Sequence, residues 1–456
     1  MTNVNKLAAV DVLDNTRKNS VANRAQVHKF GGSSLANVSR FKAVADLVLQ
    51  QSVTEPVWLV VSAPADTTDD LLAIIDLQSD AERLTTILAL QQKLTRLIVG
   101  CLPTERAKIV ISQVKAWLQQ IPALLVPSAL GQTQINDVLA IGENVSALLL
   151  SQLLQHRGVA AIALDGRDFL YFEQHQLALK TSQQQLELLI KPKTIHVVTG
   201  YIAKDTAGNT LTLGRNGSDY SASLLGALIN AASITIWTDV PAIYSADPRQ
   251  VAVAQPYTEV NWQQARLLAQ LGNPVLHPRT LYPLLHTEAS LIVRSSFASE
   301  QLGCAVLKNA SNQNFITTLK HAQLISLPIT ADIGLETVAQ QLQLPLVKFS
   351  QSADSQRWLV SASATQQLLD YLSAKNIKAI TDTEIYYVVA WLKAKPSSAS
   401  QHAEKQLKQH QIMHRSENTQ QIIWLLAKAL SSEALNTLHQ ILIPAAIEDN
   451  VQQQNG

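Results

Sequence analysis

The feature that most constrains this chain is a recurrent alternation. Between Val27 and about Lys308, short apolar, largely β-branched runs trade places with longer stretches of helical period. After Val27 to Phe30 the runs are Val57 to Val61, Ala160 to Leu164, His196 to Thr199, Ile234 to Trp237 and Leu291 to Val293. Helical candidates lie between them: Val38 to Leu49, Thr133 to His156, Asp219 to Ala231 and Val260 to Leu271. In the first of these, Val38, Phe41, Val44, Ala45 and Val48 recur at helical spacing on one face. The alternation predicts an α/β fold with a mostly parallel sheet sandwiched by helices. In such sheets ligands bind beyond the carboxyl ends of the strands. The residues just after each run are therefore the ones to read for chemistry.

At 456 residues the chain is too long for one ordinary domain. A hydrophobic share of 47% against 16% charged residues predicts a large core. The net charge of +1 gives no global field to recruit nucleic acid or an anionic membrane, so an anionic ligand must be held by local geometry. Two cysteines, Cys101 and Cys304, form no disulfide framework, and a cytoplasmic location is expected. Residues 1–26 are polar, mixed in charge and without an apolar signal region, and read as a flexible arm. No run of about 18 apolar residues appears, so no membrane span is expected.

After Lys308 the texture changes: glycine becomes rare, glutamine and serine frequent. Two stretches, Phe315 to about Ser373 and Glu384 to about Ile443, share a loose strand–helix–strand pattern. Each is expected to hold one main helix, around Leu335 to Leu344 and around Ala403 to Gln411. Each also has a later strand, Arg357 to Val360 and Gln421 to Leu426. The expected division is thus an arm over 1–26, a first domain over 27–308, and a region over 309–456 built from two small α/β units. Glu448 to Gly456 read as disordered.

Five segments carry candidate chemistry. In KFGGSS, Lys29 precedes Gly31, Gly32 and Ser33 at a strand-to-helix turn. Glycines let a ligand approach backbone N–H groups, the helix that follows offers its positive end, and lysine is a compact charge suited to a phosphoryl oxygen. A tight turn beside a solvated lysine is the bland alternative, and the G-x-x-x-x-G-K-[ST] pattern is absent. In LGRNGSDYSA, an apolar strand meets Gly214-Arg215-Asn216-Gly217 before a helix. Ser218 reads as its N-cap and Asp219 as a first-turn carboxylate facing the helix dipole. Neither role accounts for Arg215 or the flanking glycines. TDVPAIYSADPR places Thr238, Asp239, Tyr244, Asp247 and Arg249 after a strand, where they could hold a nucleotide or form an ordinary D-P-R turn. VVSAPADTTD puts Ser62 and Thr68 beyond another strand. IGEN puts Glu143 in an apolar helical run, where an ionised carboxylate is costly unless partnered, so it is expected to meet a cation. A buried structural salt bridge is the plainer form of that expectation. No metal site made of protein side chains is evident, since His410 and His414 read as a wet helix face.

Together, and in this order and spacing, these five segments resemble the aspartate kinases of the amino-acid kinase superfamily. The resemblance covers about Val27 to Lys308, and the tail resembles the paired ACT units of that family. It is nearest the kinase half of the bifunctional aspartate kinase–homoserine dehydrogenases of the methionine branch. The resemblance implies an amino-acid kinase fold and transfer of the γ-phosphoryl group of ATP to the β-carboxylate of L-aspartate. The product would be 4-phospho-L-aspartate, the first step toward lysine, threonine and methionine. Lys29 would neutralise charge on the transferring group, and the Gly31–Ser33 turn would cradle it. Mg²⁺ would arrive on ATP, with Asp219 orienting Lys29 or a metal-bound water. Arg215 would hold a carboxylate by a bidentate fork, Glu143 the α-ammonium, and Ser62, Thr68 and Ser218 would complete the pocket. Thr238, Asp239, Tyr244, Asp247 and Arg249 would hold the nucleotide. A homodimer through the ACT-like region is implied, with no nucleic-acid or membrane partner.

One departure stands out. Many relatives carry a lysine before V-L-H-P, where this chain has Pro274, with neither charge nor N–H donor. Two rival readings are a sister enzyme such as acetylglutamate or glutamate kinase, and an amino-acid sensor whose kinase activity has decayed. The Glu143 and Arg215 pair suits a free α-amino acid, and acetylglutamate lacks the ammonium. Lys29, Arg215 and Asp219 argue against decay. The tail is expected to respond weakly to amino-acid effectors: ADIGLETV keeps Gly334 before a helix, whereas KAKPSSASQHAEKQ has no glycine.

Overall fold

The computed structural model describes residues 25–52, 56–126, 130–173, 176–329, 334–342, 344–395 and 397–443. Most of the expected N-terminal arm, the polar C-terminus and Ala331 to Ile333 of the ADIGLETV loop lie outside the described residues. The chain forms two compact units. One comprises residues up to Pro241 together with Arg279–Ala305, the other Ala242–Pro278 together with residues from Val306 onward.

In the first unit six strands stand side by side in the order Ser290–Ser295, Ser233–Thr238, Gln26–Phe30, Val57–Val61, Ile195–Thr199, Ala161–Leu164. Every neighbouring pair is parallel. Val57–Val61 and Ile195–Thr199 are buried at every position, which is why they read as unbroken apolar runs. The first strand is central: the chain moves to one side of it through Val57–Val61 and returns on the other through Ser233–Thr238. That reversal of strand order opens a crevice at the carboxyl ends, beside Gly31 and Gly32.

Helices Val38–Gln51, Asp80–Cys101, Thr104–Leu124 and Gln132–His156 share one apolar core with Leu59, Val61 and Val197 of the sheet. Helix Gly217–Leu228 packs on the first strand and both its neighbours. The long pair Asp80–Cys101 and Thr104–Leu124 was not anticipated from the sequence. Its buried positions, Ile87, Leu90, Leu94 and Ile98 on one helix and Val110, Val114, Leu118 and Ile121 on the other, nonetheless keep helical spacing. Among the described residues, Gln132–His156 is long and apolar enough to cross a membrane by length and composition, although polar residues such as Asp137, Glu143 and Ser151 interrupt its apolar positions. It is largely buried, as a core helix must be when its faces meet strands and other helices.

The second unit contains a seven-stranded sheet with antiparallel neighbours. Its centre is the long strand Phe315–Pro328. The C-terminal half of that strand pairs with Ser355–Ser361 and Ile380–Thr381. Its N-terminal half pairs with Tyr386–Leu392, and the register shifts between Leu319 and Ala322 where the roles change. The first half runs β-α-β-β-α-β along the chain, and both halves have the spatial strand order 4-1-3-2, the fourth place of the second half being filled by a strand that precedes it in sequence. One strand serves as first strand of one half and fourth strand of the other. Each half carries two helices instead of the single main helix expected: Leu335–Leu342 with Ala362–Ala374, and Ser400–Leu407 with Ser432–Leu442.

Ala242–Pro278, read from sequence as part of the first domain, belongs with this second unit. The cause is burial. Ala246 and Val251 share an apolar cluster with Trp391, Trp424 and Leu438, and the Ser245 hydroxyl lies 2.8 Å from the His439 ring nitrogen Nε2.

Candidate active site

The first strand ends at Phe30, whose carbonyl accepts from the Ser62 N–H at 3.0 Å, so two strand ends and their loops are joined. A side chain at Gly32 would press on the Ala63 carbonyl at 3.2 Å, and one at Gly31 would meet the Lys29 ammonium at the same distance. The glycines therefore keep both the loop contact and the space in which the lysine lies. Lys29 Nζ pairs with Asp219 Oδ1 at 2.6 Å, with both side chains mostly buried. Asp219 comes from the first turn of helix Gly217–Leu228, where a carboxylate also meets the positive end of the helix.

That helix starts from a turn with left-handed residues, Gly214 at φ 68° and Asn216 at φ 56°. Asn216, not Ser218, is the N-cap residue, and it makes no side-chain cap bond. Ser218 sits inside the first turn, buried, so close to Gly200 that a Cβ there would lie 2.6 Å from the serine Cβ. The turn displaces the cap by two residues and leaves the serine facing the cleft. Arg215 is exposed, lines the cleft and has no ion pair among the described residues.

Glu143 enters from the helix Gln132–His156. A side chain at Gly142 would come within 2.7 Å of the Ala63 Cβ, so only glycine lets this helix lie so close to the Ser62–Asp66 loop. The next residue is thereby pushed into the cleft floor. Glu143 is 3% exposed, and its Oε2 has no hydrogen-bond partner. Burial raises its pKa to about 8, against the opposing pull of its own and the Ala63 backbone N–H groups. Among the described residues no side-chain cation pairs with it. The expected structural salt bridge is thus missing among the described residues.

These elements enclose a cleft of about 540 Å³ at the carboxyl end of the sheet, lined by Lys29, Gly31, Gly32, Ser62, Thr68, Glu143, Arg215, Ser218 and Asp219 among others. Nine of the residues singled out from sequence therefore meet in one place. Ser33 is exposed in the short turn Gly32–Leu35 and does not line it. Thr238 and Asp239 stand at the end of the neighbouring strand, joined by a 2.9 Å hydrogen bond from the threonine hydroxyl, and are likewise outside the lining. Tyr244, Asp247 and Arg249 belong to the second unit. There Asp247 accepts from the Arg249 backbone N–H and from its Nε, both at 3.0 Å. Burial acts to raise the Asp247 carboxyl, but the hydrogen bonds from Arg249 and Gln250 outweigh it and hold the group below its ordinary range.

Sequence reasoning missed Tyr201, which lines the cleft in a left-handed conformation at φ 66°. Burial raises the pKa of its hydroxyl, and the nearby Glu143 charge adds to the shift. Its signal was its place two residues after the strand Ile195–Thr199, the same rule that located Gly31. Asp66 and Asp69 also line the cleft. Among the described residues no cluster of three or more His, Cys, Asp or Glu side chains could hold a metal ion. The cleft's own carboxylates are Asp66, Asp69, Glu143 and Asp219.

A glycine-rich turn, a lysine–carboxylate pair and an arginine at the carboxyl end of a parallel sheet define an α/β protein equipped to bind small anions. Comparison makes the class specific. The amino acid kinase family model matches residues 24–295, more than half of the chain. The chain belongs to the amino acid kinase family. Among curated relatives it is 38% identical over 318 residues to the bifunctional aspartokinase/homoserine dehydrogenase 2 of Escherichia coli, covering 67% of this chain and 39% of that protein. It is 31% identical over 298 residues to the lysine-sensitive aspartokinase 3 of the same organism, covering 63% and 65%. With the aspartokinase of Chlamydia pneumoniae the figures are 28% over 393 residues, 80% and 84%. The matched part is thus less than two thirds of the length of the first curated relatives. The fold matches E. coli aspartokinase III solved with aspartate and ADP at a TM-score of 0.76 and 23% identity, over 92% of this chain and 99% of that one. The same enzyme solved with lysine and aspartate matches at 0.67 and 24%, over 92% and 99%. The sheet with its helical layers and the antiparallel C-terminal sheet are therefore the fold seen in aspartate kinases.

Proposed function

We propose that this protein is an aspartate kinase, transferring the γ-phosphoryl group of ATP to the β-carboxylate of L-aspartate. The observation that carries the reading is Glu143: a buried carboxylate that, among the described residues, has no protein cation, in one cleft with an arginine that has no ion pair among them and a lysine–aspartate pair. A free α-amino acid with a second carboxylate answers both unmet charges. Its ammonium meets Glu143 and a carboxylate meets the Arg215 fork, with Ser62, Thr68 and Ser218 completing the hydrogen bonds.

The acceptor carboxylate is already ionised near neutral pH, so no general base is needed. Its oxygen forms the new bond to the γ-phosphorus as the bond to the bridging β,γ-oxygen breaks, and ADP leaves with that electron pair. The residues supply alignment and cations around the moving group. Lys29, held by Asp219, faces the transferring phosphoryl group, and the Gly31–Ser33 turn offers N–H donors. Bound Mg²⁺ supplies charge neutralisation on the nucleotide. Thr238, Asp239, Tyr244, Asp247 and Arg249 are proposed to contact the nucleotide. A cytoplasmic location is proposed from the low cysteine content, two in the chain, Cys101 and Cys304, both buried, and the C-terminal sheet is the proposed dimerisation region.

A coupled assay of ADP release with aspartate, glutamate and acetylglutamate in parallel, with hydroxylamine trapping of the acyl phosphate, tests the reading. Turnover and trapped hydroxamate with aspartate alone are expected. Preference for either other acceptor, or ATP hydrolysis without hydroxamate, would contradict it.

A further inference from the structure

Outside the cleft lining, a group of polar side chains joins the two turns proposed to handle the nucleotide. Ser34 is fully buried, and its hydroxyl lies 2.7 Å from that of Ser296. Arg40, from the first turn of helix Val38–Gln51, donates from Nη2 to the Ser296 carbonyl and hydroxyl, both at 2.8 Å. The guanidinium carbon also lies 3.4 Å from the ring centroid of Phe297. Ser296 in turn donates its backbone N–H to the Thr238 carbonyl at 3.0 Å, with its hydroxyl 3.5 Å from the same oxygen. A hydroxyl has one proton and two lone pairs. One assignment satisfies every contact: Ser296 Oγ accepts from Arg40 and from Ser34, and donates to Thr238.

We infer that Ser296 and Arg40 are positioning residues that tie the Gly31–Gly32 turn to the Thr238–Asp239 turn. The tie acts through both loops. Ser34 closes the glycine turn, its N–H donating to the Gly31 carbonyl at 3.0 Å, and Thr238 ends the adjacent strand. Arg40 suits this place because one planar group can stack on Phe297 while it donates to both Ser296 oxygens. The inference rests on the proposed phosphoryl transfer, in which neither loop moves a proton and everything depends on alignment. Misplacement by about 1 Å can cost on the order of 10²-fold in such a reaction. Arg215 and Glu143 lie on other elements, so the amino-acid pocket is not expected to feel the change.

The test uses Ser296→Ala, Ser34→Ala, their double variant and Arg40→Ala, beside Arg40→Lys, in the full chain. Ser296→Ala and Arg40→Ala should lower kcat roughly 10- to 100-fold with KM for aspartate unchanged. Arg40→Lys should recover part of the loss, and the Ser34/Ser296 double variant should be no worse than its worse single. Amide hydrogen exchange gives a readout independent of turnover: Ser296→Ala should speed exchange in residues 31–35 and 238–240 together and leave the helix Gln132–His156 unchanged. A kcat within twofold of wild type for both Ser296→Ala and Arg40→Ala would overturn the inference. So would a rise in aspartate KM at constant kcat, additive serine effects, or faster exchange in one loop only. Absence of phosphoaspartate from the wild type would instead overturn the proposed reaction, and the exchange result would still decide the tie.

Discussion

Glu143 in the first unit and Lys393 in the second are both withdrawn from water, at 3% and 4% exposure, yet they are treated oppositely. Lys393 donates to the Glu417 carboxylate at 3.0 Å and the Asn418 carbonyl at 2.8 Å, so its charge is answered within the fold. Among the described residues Glu143 has backbone N–H donors but no cation, and one of its oxygens has no partner. A buried charge without a counter-charge is expensive, and a fold tolerates it where a ligand completes it. The first unit therefore holds a carboxyl that burial keeps protonated near neutral pH until a cation meets it, and the second holds a charge already paired within the fold.

The sharpest break in this comparison comes at Lys29, whose charge should matter most as the phosphoryl group moves. Lys29→Ala should lower kcat on the order of 10²- to 10³-fold, with a much smaller change in aspartate KM. A steady-state kinetic series checks this, and a wild-type kcat in the variant would remove the lysine from the reaction. Arg215→Ala should act on binding instead. Loss of a charge-assisted hydrogen bond costs about 1.5–3 kcal/mol, so aspartate affinity should fall roughly 10- to 100-fold while ATP affinity holds. Calorimetric titration with each ligand separates the two, and a loss confined to ATP would mean the pockets are wrongly assigned.

Lys393→Met should do the reverse of both. It leaves the Asn418 carbonyl without its donor and Glu417 without one of its cations, so stability should drop by about 1–3 kcal/mol with kcat preserved. Thermal unfolding beside turnover decides it, and a stable variant with altered kcat would erase the contrast between the units. The smallest effect is expected at Pro274→Lys. A cation at this exposed position should tighten ATP binding by about 0–1 kcal/mol, and added salt should weaken the gain. An unchanged Kd in low salt would show that the position does not face the nucleotide.

Much of the first unit was legible because its strands are buried on both faces. VWLVV has no polar interruption, and its observed bounds, Val57–Val61, are those read from the sequence. The helical pair Asp80–Cys101 and Thr104–Leu124 escaped notice because its apolar positions are diluted by glutamine, lysine and arginine on two exposed faces. Gly31, Gly32 and Ser62 followed from one rule, that chemistry collects after parallel strands, whereas Arg215 follows Thr210–Thr212, a strand that pairs antiparallel with Ile202–Asp205, and was found from its flanking glycines. Glu143 was legible for a different reason, as a charge in an apolar run. The missing cation was not, because a sequence shows the charge and not its partners. Nor was the shared strand Phe315–Pro328, since pairing one strand with two halves of a sheet leaves no period in the letters. The packing of Ser245 and Ala246 was not legible either, because the burial they share comes from residues near 390–440, far away in the sequence.

Glu143 also gives the most direct test. Its carboxyl is raised from 4.5 to about 8 by burial, so the folded protein retains at pH 7 a proton that the unfolded chain has lost. The stability this group contributes is full below pH 4.5 and declines as pH rises toward 8. An ammonium placed beside it favours the carboxylate and must expel that proton. Calorimetric titration of aspartate at pH 7 in buffers of differing ionisation enthalpy counts the protons released. The account predicts release of nearly one proton per aspartate bound, an affinity that climbs with pH and levels off above about 8, and loss of both in Glu143→Gln. Binding without proton release in the wild type, or equal release in Glu143→Gln, would contradict it.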